Sequence, residues 1–401
     1  MKTQDILQNI FNRLLDMVPT LLALVLAFLV ASILLVAMGA DPGAAINSML
    51  QGAFGTENAT AETLVKATPI LFVAIGIAIA FRGGVINIGG EGQMIAGALA
   101  GITTTLVLKD AAGLVTIPLS LIMGFLAGAF YGGIAGFLRA YFGVNEILST
   151  IMLNQVAVQL MNYLLNNPLL DPAEIGTNHI PKTARILADQ QLPRLVINIP
   201  EFMTPLFGHV DLFARTRLHT GIIIAVVLAI LTYVLLWRTT IGYRIRAVGQ
   251  NERAARYAGI NVKRQMMLSL VLAGGFAGLA GVVQVLGLQY RLQTDGSPAG
   301  FTASAGFNGI VAALFGGLNP IGAIPASAFF GGLLVGAQKM QRDLGVPAAL
   351  ITAINGLIVV FVVSSQIFTQ RRQRRRASIA VAEVEAPAER AEVPTPAEEI
   401  V

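Results

Sequence analysis

Apolar residues in this chain do not alternate with polar ones. They gather in long uninterrupted blocks separated by short polar or glycine-rich breaks. A helix needs about 20 mostly apolar residues to cross hydrocarbon, and 18–38 meets that length with no charge inside it. Further blocks lie at 64–81, 88–106, 115–137, 147–165, 221–237, 266–288, 307–318, 321–337 and 348–364. The pattern predicts an all-α polytopic membrane protein of about ten transmembrane helices. The eighth block is too short to cross alone, and the third is glycine-rich and polar near its start, so both are expected to be broken or re-entrant. Such backbone is tolerated in a membrane only where protein or a water-filled cavity surrounds it.

The polar stretches set the sidedness. Arg238, Arg244, Arg246, Arg253, Arg256, Lys263 and Arg264 face the single acid Glu252 in the segment 238–265, and cytoplasmic loops carry such an excess. With this loop inside, an even number of crossings puts both termini, Arg82, Arg139 and the run 371–376 on the same side, and Asp41, Glu57 and Asp295 outside. The expected organisation is a cytoplasmic segment 1–17, a transmembrane domain 18–370 with an external loop 166–220, and a tail 371–401, basic and then acidic. The tail mixes Ala, Pro and Glu without a hydrophobic pattern, the composition of disorder. The first apolar block lacks a small-residue cleavage site and is expected to stay as an anchor.

Composition narrows the chemistry. The chain is 55% hydrophobic and 12% charged, with no cysteine, so thiolate metal sites, disulfides and cysteine nucleophiles drop out. His179, His209 and His219 lack the spacing of a helical metal pair and are expected to be solvated loop residues; no metal site is expected. The net charge of +5 sits beside apolar spans rather than in an aromatic-interleaved patch, which argues against nucleic-acid binding.

A short internal echo suggests two related halves. Phe130-Tyr131-Gly132-Gly133 recurs as Phe329-Phe330-Gly331-Gly332, each leading to a Gly-Val pair, and Glu91 to Gly101 can be laid on Phe307 to Gly317. Halves five spans apart would run in opposite directions, the inverted repeat of many transporters. In so glycine-rich a chain the echo serves only as support.

Two segments carry candidate chemistry. In Asn87-Ile88-Gly89-Gly90-Glu91-Gly92-Gln93, polar groups stand at the edge of an apolar span. They read either as a polar lining or as a helix start with Asn87 capping and Glu91 on the positive end of the dipole. In Gly249-Gln250-Asn251-Glu252-Arg253-Ala254-Ala255, Asn251 suits an N-cap and Gly259 a left-handed helix end. A short surface helix over about 251–258 follows.

The second segment resembles the cytoplasmic coupling loop of permeases in the ribose, branched-chain amino acid and nucleoside group of ABC importers. Within that group, the Asn87–Gln93 stretch is similar to the Asn-Ile-Gly-x-Glu-Gly-Gln segment of nucleoside permeases that work with a basic-membrane-protein-type lipoprotein. Asn145-Glu146-Ile147 through Asn154, and Gly306-Phe307-Asn308 through Leu314, extend the resemblance. It implies a permease subunit that imports nucleosides across the cell membrane by alternating access. The partners it implies are a cytoplasmic ABC ATPase that uses ATP and Mg, a second, homologous permease and an extracytoplasmic substrate-binding lipoprotein. No cofactor is expected on this chain, which lacks the Gly-x-x-x-x-Gly-Lys-Ser/Thr of an ATPase. The substrate pathway is expected at Asn87, Glu91, Gln93, Asn154, Gln155, Asn308 and Asn355, and coupling to the ATPase at Gly249, Asn251, Glu252, Ala254, Ala255 and Gly259. A simple-sugar permease is the nearest alternative. An ion-coupled secondary transporter is disfavoured because Lys66, Glu91 and Glu146 are nearly the only ionisable residues near span interiors, and an intramembrane enzyme because the spans lack paired acids and histidines. A channel fits the composition but not the motifs.

Overall fold

The computed structural model describes residues 22, 25–175, 180–198, 211–294 and 297–347, with isolated positions between 353 and 364. Two compact units divide the chain. One is Leu35–Ile351, and the other joins Met1–Leu34 to Thr352–Val401. The block at 348–364, Asn355 and the tail 371–401 fall largely or wholly outside the described residues, as do His179 and His209.

Helices make up most of the larger unit. They are α1 (Val25–Ala37, shared with the smaller unit), α2 (Pro42–Phe54), α3 (Glu57–Arg82), α4 (Gly90–Val107), α5 (Gly113–Phe142), α6 (Glu146–Asn166), α7 (Gly221–Arg238), α8 (Thr240–Gln250), α9 (Glu252–Tyr257), α10 (Val262–Gln284), α11 (Pro298–Thr302), α12 (Ala305–Phe315) and α13 (Pro320–Leu344). A π-helical turn, Val285–Gln289, continues α10. Local sequence sets many of the boundaries. Asp41 and Pro42 open α2, the Thr56 hydroxyl accepts from Ala59 N at 3.1 Å to open α3, and Asn145 caps α6. Among the described residues, five helices are long and apolar enough to cross a bilayer, namely α3, α5, α7, α13 and α10 with its π turn. A sixth crossing results if α1 and α2 form one broken span. Helix α2 lies where the sequence suggested only an external connection.

Among the described residues the architecture is all-α apart from a two-residue antiparallel ladder in the long loop between α6 and α7, β1 (Ile197–Asn198) with β2 (Asp211–Leu212). That loop is extended rather than loose. Its backbone follows the end of α10 through Ile186 N to Tyr290 O and Leu192 N to Leu286 O, both 2.9 Å. The Gln190 amide binds the carbonyls of Leu108, Lys109 and Ala111 beyond α4. Arg217 grips Glu62 of α3 in a two-point ion pair at 2.7 and 2.8 Å. The opposite end of the bundle carries the arginine-rich segment 238–265. Lys263 lies 5.4 Å from the Tyr141 ring at the end of α5, and Arg82 and Arg246 lie 5.5 and 5.7 Å from Trp237. One end is thus lined by the long loop and the other by the arginine-rich segment, as the charge pattern predicts.

Helix α3 is the axis of the fold, with every residue from Ala67 to Ala80 buried. It crosses α10 where Gly76 meets the Ala273 backbone. Helix α5 packs on α10, and α13 packs on α3 through Gly331 against Thr63 O. Helices α3 and α5 end at the basic end, where α10 and α13 begin. The packing is antiparallel in both pairs, α5 on α10 and α13 on α3, which is the relative direction that the echo in the sequence leads one to expect of two inverted halves.

The expectation that the loop histidines are solvated fails at His219. Its ring is 3% exposed, wedged against Gly287, and its Nδ1 accepts from Gly221 N at 3.1 Å. A polar residue before a span stays wet only if the loop does not fold back, and here the loop does. Burial pushes the imidazole down to about 4. Because the folded value lies below the ordinary 6.5, the neutral form stabilises the fold above pH 6.5, and that contribution fades as pH falls from there to about 4. Thermal unfolding of the purified chain should show a steeper loss of stability over this window in the parent than in His219→Gln. Parallel profiles would remove His219 from the pH response.

Candidate translocation site

Two helices begin inside the bundle rather than at its ends. After α3 stops at Arg82 the chain turns through Gly84 (φ +76°), a left-handed conformation that a β-carbon strains. It then runs non-helically through Val85–Gly89 and resumes as α4 at Gly90. In the second half, α12 begins at Ala305 after Ala303 and Ser304 with positive φ. These two starts touch. A β-carbon on Gly90 would stand 3.2 Å from Gly306 Cα, and one on Gly306 would stand 2.6 Å from Glu91 N. The third block thus holds an unbroken helix of 18 residues, α4, that starts from a non-helical turn inside the bundle, and the eighth holds α12, which with 11 residues is too short to cross alone.

Glu91 joins the two starts. Its side chain belongs to α4, yet its Oε1 accepts from Phe307 N of α12 at 3.1 Å, and Thr302 and the Gly306 amide reach the same carboxylate. A carboxylate at a helix N-terminus is favoured by about 0.3–1 kcal/mol in exposed settings and up to about 2 kcal/mol when partly buried. Here it serves a partner helix as well as its own.

Asn87, Gln93 and Asn154 complete a closed network. Asn87 Nδ2 donates to Gln93 Oε1 at 2.9 Å, Gln93 Nε2 returns a bond to Asn87 Oδ1 at 3.1 Å, and Gly89 N donates to the same oxygen. From α6, Asn154 accepts from Gly92 N at 2.9 Å and donates to Ile88 O at 3.0 Å. Thr150 receives Ile88 N, and Glu146 stands between Ile86 N and Arg139. An irregular segment inside a membrane leaves amides and carbonyls without helical partners, and these side chains supply them. Asn87, Glu91, Gln93 and Asn154 are all buried within the single chain. Of the two readings of the Asn87–Gln93 segment, the helix-start reading describes Glu91, whereas Asn87 acts through Gly89 and Gln93. Gln155 is exposed and Asn308 half-buried, so these two have free surface for another molecule.

At the basic end, α9 occupies the predicted position. Asn251 accepts from Arg253 N and Ala254 N at 3.0 and 3.1 Å, and Gly259 (φ +75°) ends it. Ala254, Glu252 and Asn251 are exposed. Ala255, expected to fit a partner's groove, points inward instead and packs with Ala80, Val85, Val248 and Met266. The 3.6-residue period requires one face of so short a helix to rest on its own bundle. Gly249 likewise presses on its own chain, since a β-carbon there would stand 2.1 Å from Arg82 O. Tyr257, 94% exposed at the end of α9, is the large side chain the sequence reading missed. Arg82, read there only as a topology signal, binds Leu318 O at 3.2 Å through Nε and Gly317 O at 3.1 Å through Nη2. It thereby ties the end of α3 to the end of α12.

The chain belongs to a family of membrane permeases: residues 59–363 match the family described as branched-chain amino acid transport system / permease component. Its relatives include the guanosine ABC transporter permease protein NupP of Bacillus subtilis, 32% identical over 88% of this chain and 95% of that one. The nucleoside ABC transporter permease protein NupB of Lactococcus lactis is 32% identical over 88% of this chain and 92% of its own. A glucose ABC transporter permease protein of Haloferax volcanii is 33% identical over 88% of each. No solved structure matches the chain.

Proposed function

We propose that this chain is the membrane-spanning subunit of an ATP-driven nucleoside importer. The observation that carries the reading is the Asn87–Gln93 segment, whose resemblance to nucleoside permeases agrees with full-length likeness to guanosine and nucleoside permeases. The fold supplies a reason for that segment's composition, because Glu91 joins the start of α4 to that of α12 while Asn87 and Gln93 hold the non-helical turn before α4. On this reading the arginine-rich end faces the cytoplasm and the loop 166–220 faces the external binding protein. ATP hydrolysis resides in a partner, a second permease completes the pathway, and substrate moves as the two permeases alternate between outward- and inward-open states. Sugar transport is the second reading, favoured by the glucose permease, which is as similar as the nucleoside relatives. Uptake of labelled guanosine by the assembled transporter, challenged with unlabelled nucleosides, nucleobases, ribose and glucose, separates the two. Inhibition by nucleosides alone is expected, and inhibition by a free sugar alone would sink the nucleoside reading.

The partner ATPase is proposed to dock on the exposed face of α8–α9. Asn251, Glu252, Arg253, Ala254 and Arg256 present small and polar surface there, and Tyr257, more exposed than Tyr243 and Ile241 of α8, provides the most prominent large side chain. Aromatic side chains dominate interface energetics, whereas exposed ion pairs contribute about 0–1 kcal/mol. Tyr257→Ala should weaken ATPase association by about tenfold, the equivalent of about 1.4 kcal/mol, with the permease's own melting unchanged. Ala255→Trp should instead lower the melting temperature of the isolated chain. Measuring association and melting together tests both, and unchanged association in Tyr257→Ala would remove this anchor.

A further inference from the structure

Helix α6 has the length of a span, 21 residues, yet it is absent from the five helices apolar enough to cross a bilayer. The deficit is concentrated on one face. Gln155, Gln159, Asn162 and Asn166 follow one another at steps of four, three and four, which places them in a single stripe. Gln155, Gln159 and Asn166 are exposed and Asn162 is half-buried. Beside this stripe runs an apolar one: Met152, Val156, Leu160 and Tyr163, all 42–64% exposed. The buried side of the helix, with Thr150, Asn154, Ala157, Met161 and Leu165, packs into the bundle.

Lipid suits the apolar stripe but not the polar one. Carboxamides facing acyl chains would lose their hydrogen bonds without compensation, and among the described residues neither Gln155 nor Gln159 has a partner in its own chain. The stripe also has a definite course. It starts beside Asn154, which holds Gly92 at the beginning of α4. It then climbs to Asn162, whose Oδ1 accepts from Thr294 Oγ1 at 2.6 Å, and Asn166 lies at the loop end of the helix. It therefore runs from the half-helix junction toward the external loop.

We propose that the Gln155–Gln159–Asn162–Asn166 face of α6 is a wall of the substrate passage, wetted by water and contacted by the solute in transit. Carboxamides both donate and accept and carry no charge, so the wall suits a neutral, hydrogen-bonding solute such as a nucleoside or sugar and gives an ion no counter-charge. The assignment rests on the importer reading above and names its specificity surface; of these residues, Gln155 alone was legible as a pathway candidate in the sequence.

The cysteine-free chain allows a direct test. Gln155→Cys, Gln159→Cys, Val156→Cys and Leu160→Cys, each in the assembled transporter in permeabilised membranes, are treated with the charged thiol reagent methanethiosulfonate-ethyltrimethylammonium. Asn166→Cys replaces whichever polar-stripe variant fails to assemble. The polar-stripe cysteines should react at least about ten times faster than those at 156 and 160, and saturating guanosine should slow them several-fold. Equally slow reaction at all positions, showing that lipid or the second permease covers the stripe, overturns the proposal. So does fast reaction that neither guanosine nor glucose slows. Slowing by glucose but not guanosine keeps the wall and overturns the nucleoside reading alone.

Discussion

Replacing Gly278 by leucine should abolish the stable fold of the chain. A β-carbon at that position would stand 2.3 Å from Gly124 O and 2.9 Å from Gly128 Cα, while Gly97 of α4 presses on Gly278 from another side. Across the same interface, a β-carbon at Gly128 would stand 2.3 Å from Gly274 O, and one at Gly132 would stand 2.4 Å from Leu270 O. Every one of these obstacles is backbone, which cannot swing aside as a long side chain would. Close approach of this kind replaces the hydrophobic effect as the force between helices in lipid, where acyl chains are as apolar as leucine. Overpacking typically costs about 1–3 kcal/mol; a leucine driven against the α5 backbone at both Gly124 and Gly128 should exceed that range and prise α5 from α10. Gly133→Ala is the control, because its β-carbon would meet only a Val271 methyl at 3.2 Å. Yield of monodisperse protein in detergent and thermal unfolding check the contrast. A Gly278→Leu chain as stable as Gly133→Ala would show that α5 and α10 do not depend on this contact.

That interface also shows where the sequence stopped being readable. The spacing Gly124, Gly128, Gly132 was in plain view, but a glycine every fourth residue names a contact face without naming its partner, and α10 lies more than a hundred residues away. Span length is a local property, so blocks such as 115–137 and 221–237 coincide closely with α5 and α7. The break before α4 was equally legible, since glycines and carboxamides inside an apolar block have few other uses. Direction of burial was not. Asn87, Gln93 and Asn154 read in the sequence either as a lining or as local partners, and in the fold Asn87 and Asn154 bond the backbone that the break exposes while Gln93 bonds Asn87; the sequence shows that polar groups are present and not what satisfies them. The direction of Ala255 was hidden for the same reason: its smallness suggested close packing against a partner, and the packing is with Ala80, Val85, Val248 and Met266 of its own chain.

Arg82→Gln should separate transport from ATP hydrolysis. The guanidinium holds the carbonyls of Gly317 and Leu318 and lies over Trp237, while Gly249, just ahead of α9, rests on the Arg82 carbonyl. A displacement of α8–α9 therefore reaches Arg82 through its backbone and the end of α12 through its side chain. Helix α12 ends at the other extreme in the junction with Glu91, so the same residue connects the proposed ATPase-docking surface to the half-helices. Hydrogen bonds to a charged group are worth about 1.5–3 kcal/mol, and the half-buried position of Arg82 reduces that figure. Loss of about 1.4 kcal/mol would still move a two-state balance tenfold. Uptake by the reconstituted complex should fall about tenfold in Arg82→Gln with ATPase activity largely kept. Arg82→Lys should fall between, because an ammonium reaches one carbonyl and lacks the planar fork. Arg253→Gln, exposed on α9, should change little. Equal proportional losses of uptake and ATPase activity in Arg82→Gln would show that Arg82 stabilises the fold without linking the two activities.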